Sequence, residues 1–122
     1  MAGEEKRGKE NYKKGRAGET KAVRYLKKQG MTILARNFRA LRGEIDVVAK
    51  DGETVVFAEV KTRFSSEFGE PSEAVDFFKQ RKYALAAEEF LEKSGMEDAE
   101  CRFDVVEVKK DGINHIKAAF IT

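Results

Sequence analysis

Two rhythms of hydrophobic and polar positions run along this chain. Between Arg16 and Gln29, Ala22, Val23 and Leu26 recur at helical spacing, and Gly30 suits the C′ stop. Met31–Phe38, Glu44–Lys50 and Thr54–Thr62 read instead as strands, with Asp51-Gly52 a turn signal between the last two. Phe64–Glu70 reads as a loop. Pro71-Ser72 opens a long helical region with Ser72 as N-cap. Val75, Phe78, Leu85, Phe90 and Leu91 form its apolar side, Gly95 ends it, and the pattern allows a break near Lys79. Arg102–Lys109 and Ile113–Ile121 are two further strands around a turn at Asp111-Gly112. The order α-β-β-β-α-β-β predicts an α/β domain with a mixed β-sheet packed against helices.

Length changes this picture little: 122 residues fit one domain, taken as 15–122, with enough chain for one core. Residues 1–14 are charged and nearly free of apolar side chains, which predicts a flexible arm. No apolar run approaches the roughly 18–20 residues of a membrane span. The charged N-terminus lacks the apolar segment of a secretory signal. A single cysteine, Cys101, excludes an internal disulfide and fits a reducing cytoplasm, with its side chain expected to be a small buried hydrophobe.

Net charge is only +2, but it is unevenly spread. Residues 1–63 carry 16 Lys/Arg and 9 Asp/Glu, a balance of +7, and residues 64–122 carry 8 and 13, a balance of −5. A basic first half suits a polyanionic partner and equally suits a solvated mixed-charge surface.

The chemistry lies in the second and third predicted strands. Val55, Phe57, Glu59 and Lys61 share one strand face, and Glu44, Asp46 and Val48 share one face of the strand before. A four-residue loop, Asp51 to Thr54, pairs Lys50 with Val55 and so sets Asp46 opposite Glu59. A two-residue loop at Asp51-Gly52 sets Glu44 opposite Glu59 instead. Either register opposes two carboxylates, which is destabilising unless something neutralises them. A divalent cation would do so, since Mg²⁺ is held by one or two carboxylates with positions left for water and phosphate oxygens. Glu19 lies on the core-facing stripe of the first helix with Ala22, Val23 and Leu26, where a carboxylate needs a partner. Lys61 places a positive charge one strand step from Glu59, suited to a phosphate or an attacking water.

Structural alternatives stand beside each of these readings. Asp46 suits an arginine pair, Glu59 and Lys61 a surface ion pair, Glu19 a first-turn helix acid, and Glu44 a solvated strand end. Asp104 interrupts an apolar strand and suits a pair with Arg102 or Arg36 as well as a place at the site. His115, the single histidine, reads as a partly buried strand residue, and one Cys with one His argues against zinc.

Asp46 followed by Glu59-Val60-Lys61 resembles the PD-(D/E)XK nuclease signature, with a preceding helix acid and the same element order. The chain is more closely similar to the YraN-like family of bacterial proteins, related to Holliday-junction-resolvase-type nucleases, over about Gly15 to Phe120. Gly18-Glu19, Ala35-Arg36-Asn37-Phe38-Arg39, Gly43-Glu44-Ile45-Asp46, Phe57-Ala58-Glu59-Val60-Lys61-Thr62-Arg63, Lys79-Gln80 and Arg102-Phe103-Asp104-Val105-Val106 carry the similarity.

The resemblance implies a restriction-endonuclease-like core and metal-dependent hydrolysis of DNA. It matches Asp46 and Glu59 to metal-binding acids, the Val60 carbonyl to a third ligand, Lys61 to the catalytic lysine and Glu19 to the helix acid. Lys79 and Tyr83 match a Lys/Gln-x-x-x-Tyr element. The expected cofactor is Mg²⁺ or Mn²⁺, and the expected partner is DNA, recognised by shape in the absence of a base-reading module. Arg36, Arg39, Arg42, Arg63, Lys79 and Arg81 are the expected phosphate contacts. Two cuts at a junction would imply a homodimer. The competing expectation is a nucleic-acid-binding or adaptor protein that keeps the fold without turnover.

Overall fold

The computed structural model describes residues 16–63 and 77–120. The expected arm at 1–14, the Phe64–Glu70 loop and the Pro71-Ser72 helix start lie outside the described residues.

Helix α1 spans residues 16–28. It is followed by β1 (Thr32–Arg39), β2 (Glu44–Asp51), β3 (Thr54–Arg63), helix α2 (Phe77–Lys93), β4 (Cys101–Lys109) and β5 (Gly112–Phe120). This is the element order expected from the sequence. The strands form one sheet in chain order, antiparallel except that β3 and β4 run parallel. A parallel pair needs a crossover connection, and the chain segment containing α2 provides it.

Strand alternation divides the apolar residues between two cores. On one face Val47, Ala49, Val56, Ala58, Val106 and Val108 pack with Ala22, Val23 and Leu26 of α1. On the other, Val48, Val55, Phe57 and Phe103 pack with Tyr83, Ala86, Ala87 and Phe90 of α2. Central strands buried on both faces read as near-continuous apolar runs, as β3 does from Val55 to Ala58.

Helix α1 closes as its sequence predicts: Met31 N donates to Leu26 O at 3.0 Å and Gly30 N to Lys27 O at 3.0 Å. Helix α2 runs unbroken through Lys79. Within the described residues no break occurs, and Lys79 and Tyr83, one turn apart, both reach the sheet side, at Glu59 and in the α2-side core. Phe78, expected on the apolar side, is instead 76% exposed. Cys101, expected to be buried, is exposed at the first position of β4.

The β1–β2 connection is pressed against α2. A Cβ at Gly43 would lie 2.8 Å from the Lys82 carbonyl oxygen, a backbone atom that cannot swing aside. Gly43→Ala is therefore expected to cost roughly 1–3 kcal/mol. A chemical-denaturation midpoint equal to wild type would show that the loop shifts without penalty.

Candidate functional site

The β2–β3 register is the one expected from the four-residue loop, with Lys50 opposite Val55 and Val47 opposite Ala58. Asp51 and Thr54 also pair, so Gly52-Glu53 alone turn the corner. The paired ladder stops at Val47, before Asp46 and Glu59 would meet. Ile45 belongs to the α2-side core and Val47 to the α1-side core, although they are two residues apart. Alternation is therefore broken at Asp46, and Glu44, Asp46 and Val48 do not form the single continuous face expected. On the neighbouring strand the same break occurs at Asn37, which has φ 52. Asparagine tolerates this left-handed conformation better than most residues.

The break turns the Asp46 carboxylate into the gap between β2 and β3. Its Oδ2 accepts a hydrogen bond from Val60 N at 2.8 Å. The carboxyl pKa is pushed up to about 6, chiefly by burial, against the lowering effect of that N–H, and further by the charges of Glu59 and Glu19. In the folded chain the proton is held to higher pH than in the unfolded chain, whose value is near 3.8. Stability then falls as pH rises between these values, by up to about 3 kcal/mol in the metal-free protein. Asp46→Asn removes that penalty and keeps an oxygen for Val60. In the presence of a chelator it should melt above wild type at pH 8 and together with it at pH 4. Coincident melting at both pH values would mean that other charges already offset the ionised carboxylate.

Glu19, 8% exposed, is held by Arg36 Nε at 3.0 Å and Asn37 Nδ2 at 2.9 Å, both bonding its Oε1. Arg36 Nη2 also reaches Thr20 Oγ1 at 3.3 Å. At Gly18 the helix lies so close to β3 that a Cβ would run into Thr62 Oγ1. That approach brings Glu19 over the strand carrying Glu59-Val60-Lys61. Glu19, Glu44, Asp46 and Val60 line one cavity of about 530 Å³, together with Arg16, Asn37, Arg39 and Thr62.

Glu59 is reached from the α2 side. It is 2% exposed, and its Oε1 is bonded by Lys61 Nζ at 2.9 Å and by Lys79 Nζ from α2. Its Oε2 is buried without a hydrogen-bond partner among the described residues. Burial pulls the Lys79 ammonium down, but hydrogen bonding to Glu59 and the nearby carboxylate charges outweigh it, so its pKa is raised. Tyr83, one turn on, is buried and its phenol is pushed far up by desolvation and by Asp46, Glu59 and Glu44.

An orphaned carboxylate oxygen and an acid pushed up by burial and, less, by its acidic neighbours are what a cation would relieve, and oxygen donors are the set that hard divalent ions take. By this test the donors fit Mg²⁺ or Mn²⁺. As the side chains stand, no three acidic, His or Cys side chains among the described residues are gathered on one metal-sized point. Glu59 is turned toward its lysines.

The expected phosphate contacts are dispersed. Arg39 lines the cavity, Arg42 and Arg81 are exposed, Arg36 is engaged with Glu19, Lys79 with Glu59, and Arg63 lies 3.8 Å from Glu107. Sequence reasoning overlooked Arg16 and Asn37. The usable signal for Asn37 was a turn-favouring residue inside a strand pattern.

A family model described as uncharacterised protein family UPF0102 matches residues 18–108. The chain belongs to this YraN-like family. A UPF0102 protein of Caldicellulosiruptor saccharolyticus is 50% identical over 112 residues, covering 87% of this chain and 95% of the relative. One of Geobacter metallireducens is 48% identical over 114 residues, covering 90% and 93%. One of Persephonella marina is 43% identical over 107 residues, covering 88% and 92%. The UPF0102 match encloses Glu19, Asp46, Glu59, Lys61 and Lys79. No helix among the described residues is long and apolar enough to cross a membrane.

Asp104 lies apart from the cavity lining. It is fully buried and accepts from Arg102 Nε at 3.1 Å and from Ala118 N at 3.0 Å, with His115 Nε2 at 2.7 Å. Of its two expected arginine partners it takes Arg102. Arg102 continues to Asp51 at 3.0 Å, and His115 Nδ1 meets the Tyr25 hydroxyl at 3.2 Å.

Proposed function

We propose that this protein is a metal-dependent endonuclease hydrolysing DNA phosphodiester bonds, with branched or junction DNA in recombination or repair as its substrate. The observation that carries the reading is the pairing of a cavity lined by Glu19, Asp46 and Val60 with a buried Glu59 whose second oxygen lacks a partner among the described residues. Asp46, Glu59 and Glu19, with the Val60 carbonyl, would hold Mg²⁺ or Mn²⁺. When bound, such a metal activates water and stabilises charge on the scissile phosphate. Lys61 presents its ammonium at the attacking side. Lys79 holds Glu59 from α2 and would be freed for phosphate if Glu59 turned to a cation. Arg36, Arg39, Arg42, Arg63 and Arg81 meet the backbone without reading sequence. Two symmetric cuts would need a homodimer.

A second reading has its own observation: both lysines already neutralise Glu59, and the acids are not gathered on one point. That arrangement favours a nucleic-acid-binding or adaptor protein without turnover. Titrating Mg²⁺ or Mn²⁺ while following the melting temperature, then assaying branched and linear DNA, separates the two. A nuclease gains stability with the ion by linkage and cuts, and Asp46→Asn/Glu59→Gln loses both responses. Absence of any ion effect together with intact DNA binding would favour the adaptor.

A further inference from the structure

The sheet end that carries Lys61 also carries a second, wholly basic concavity. It is a groove of about 460 Å³ between α1 and the β4–β5 turn. Lys21, Arg24 and Lys28 form one wall and Lys109 and Lys110 the other, over a floor of Tyr25, Val108 and Ile113. No carboxylate among the described residues lines it. Lys109 contacts Glu107 at 3.2 Å, whereas Lys21, Arg24, Lys28 and Lys110 have no ion pair among the described residues. In a chain with 22 acidic residues, four cations left together without acids form a site of one sign.

The groove and the candidate cavity both lie along α1, with Arg16 and Glu19 lining the cavity and Lys21, Arg24 and Lys28 lining the groove. β3 and β4 are parallel neighbours, with Lys61 opposite Glu107 and Arg63 opposite Lys109. Adjacent strands lie about 4.8 Å apart, so Lys109 stands one strand beyond Arg63, itself two residues past Lys61. Lys21, Arg24 and Lys28 follow i, i+3, i+7 spacing and form one stripe along α1. From Lys21 to Lys28 the helix advances about 10 Å, the length of roughly three 3.4-Å nucleotide steps.

We infer that this groove is a nucleic-acid backbone track, in which phosphates of a DNA arm leaving the Asp46–Glu59–Lys61 site lie between α1 and the β4–β5 turn. The inference deepens the nuclease reading and rests on it for the direction of the arm. The groove supplies phosphate contacts only, since its lining offers point charges and an apolar floor and no group suited to reading base edges.

The test uses the full chain with a chelator present, so that binding is read without cutting. Affinity of wild type and of Lys21→Gln/Arg24→Gln/Lys28→Gln for a labelled four-way junction and a linear duplex is followed by anisotropy between roughly 50 and 200 mM salt. The triple variant should lose about 2–3 from the slope of log affinity against log salt, and about tenfold or more in affinity at low salt. Lys109→Gln/Lys110→Gln, from the opposite wall, should lose about 1–2 from the slope and serves if the helix variant fails to fold. Unchanged slopes in both would overturn the inference. So would vesicles of phosphatidylglycerol that capture wild type but not the variants while DNA slopes stay equal, which would assign the groove to a membrane surface. Cutting by wild type in Mg²⁺ with unchanged variant slopes fails the track alone. Lost slopes with no cutting by wild type fail the nuclease reading alone.

Discussion

Lys61→Met is expected to lower cleavage of branched DNA by roughly 10²–10³-fold while leaving the ion-induced rise in melting temperature in place. Lys61 reaches Glu59 Oε1 at 2.9 Å and keeps 23% of its side chain exposed at the mouth of the site. In the proposed mechanism that positive charge would act on the negative charge developing on the phosphate, while the carboxylates hold the ion. Methionine keeps the length of the stem and removes the ammonium. Glu59→Gln, in contrast, should lose cleavage and the ion response together, because it would withdraw a proposed ligand. The two variants therefore separate transition-state charge from ion binding. Cleavage by Lys61→Met within a factor of a few of wild type would remove Lys61 from the mechanism. An undiminished ion response in Glu59→Gln would move the ion away from Glu59.

Asp104→Ala is expected to destabilise the protein by about 3–5 kcal/mol, the cost of leaving a buried charged network without its centre. The carboxylate has no exposed surface and joins Arg102, His115 and the Ala118 N–H. Through Arg102 it reaches Asp51 at the β2–β3 turn, and through His115 it reaches Tyr25 on α1. It also fills the irregularity in the β4–β5 ladder between Phe103 and Val105, where Ala118 takes φ 50 to aim its N–H inward. Burial alone would raise its pKa, but the bonds to His115, Arg102 and Ala118 outweigh it and hold the carboxyl below its ordinary 3.8. Its stabilising contribution is thus full above that value and is lost as pH falls through the lower folded-state value. Denaturant unfolding at neutral and acidic pH reads both effects. A loss under about 1 kcal/mol at neutral pH would place this network with solvent-screened surface pairs.

The candidate site was legible where chemistry follows from local spacing. Glu59 and Lys61 interrupt the apolar run of β3 with an acid and then a base, as Glu107 and Lys109 do in β4, and the turn after Asp51 brings β2 alongside in one of the two registers that loop length allowed. The face on which Asp46 ends up was not legible, because strand alternation presumes an unbroken ladder and a left-handed Asn37 with its partner break at Asp46 overrides it. Phe78 misled for a related reason: helical periodicity gives a face, and only the sheet's outline decides how far that face is covered. Cys101 was assigned by residue type, and its place at the start of an edge-proximal strand leaves it exposed.

By itself the sequence determined the order of helices and strands, narrowed the β2–β3 register to two, and marked the candidate residues for binding a cation or phosphate. These depend on side-chain period, turn chemistry and residue type, which are local properties of the chain. The tertiary structure decided which of those residues meet. Arg36 and Asn37 settle on Glu19, Lys79 crosses from α2 to Glu59, Asp104 takes Arg102 and His115, and α1 comes to lie beside the β4–β5 turn to form the basic groove. Except for the Arg102–Asp104 pair, each of these contacts joins residues far apart in sequence and depends on how two helices are laid on opposite faces of one sheet, which packing of the two cores settles and local pattern does not.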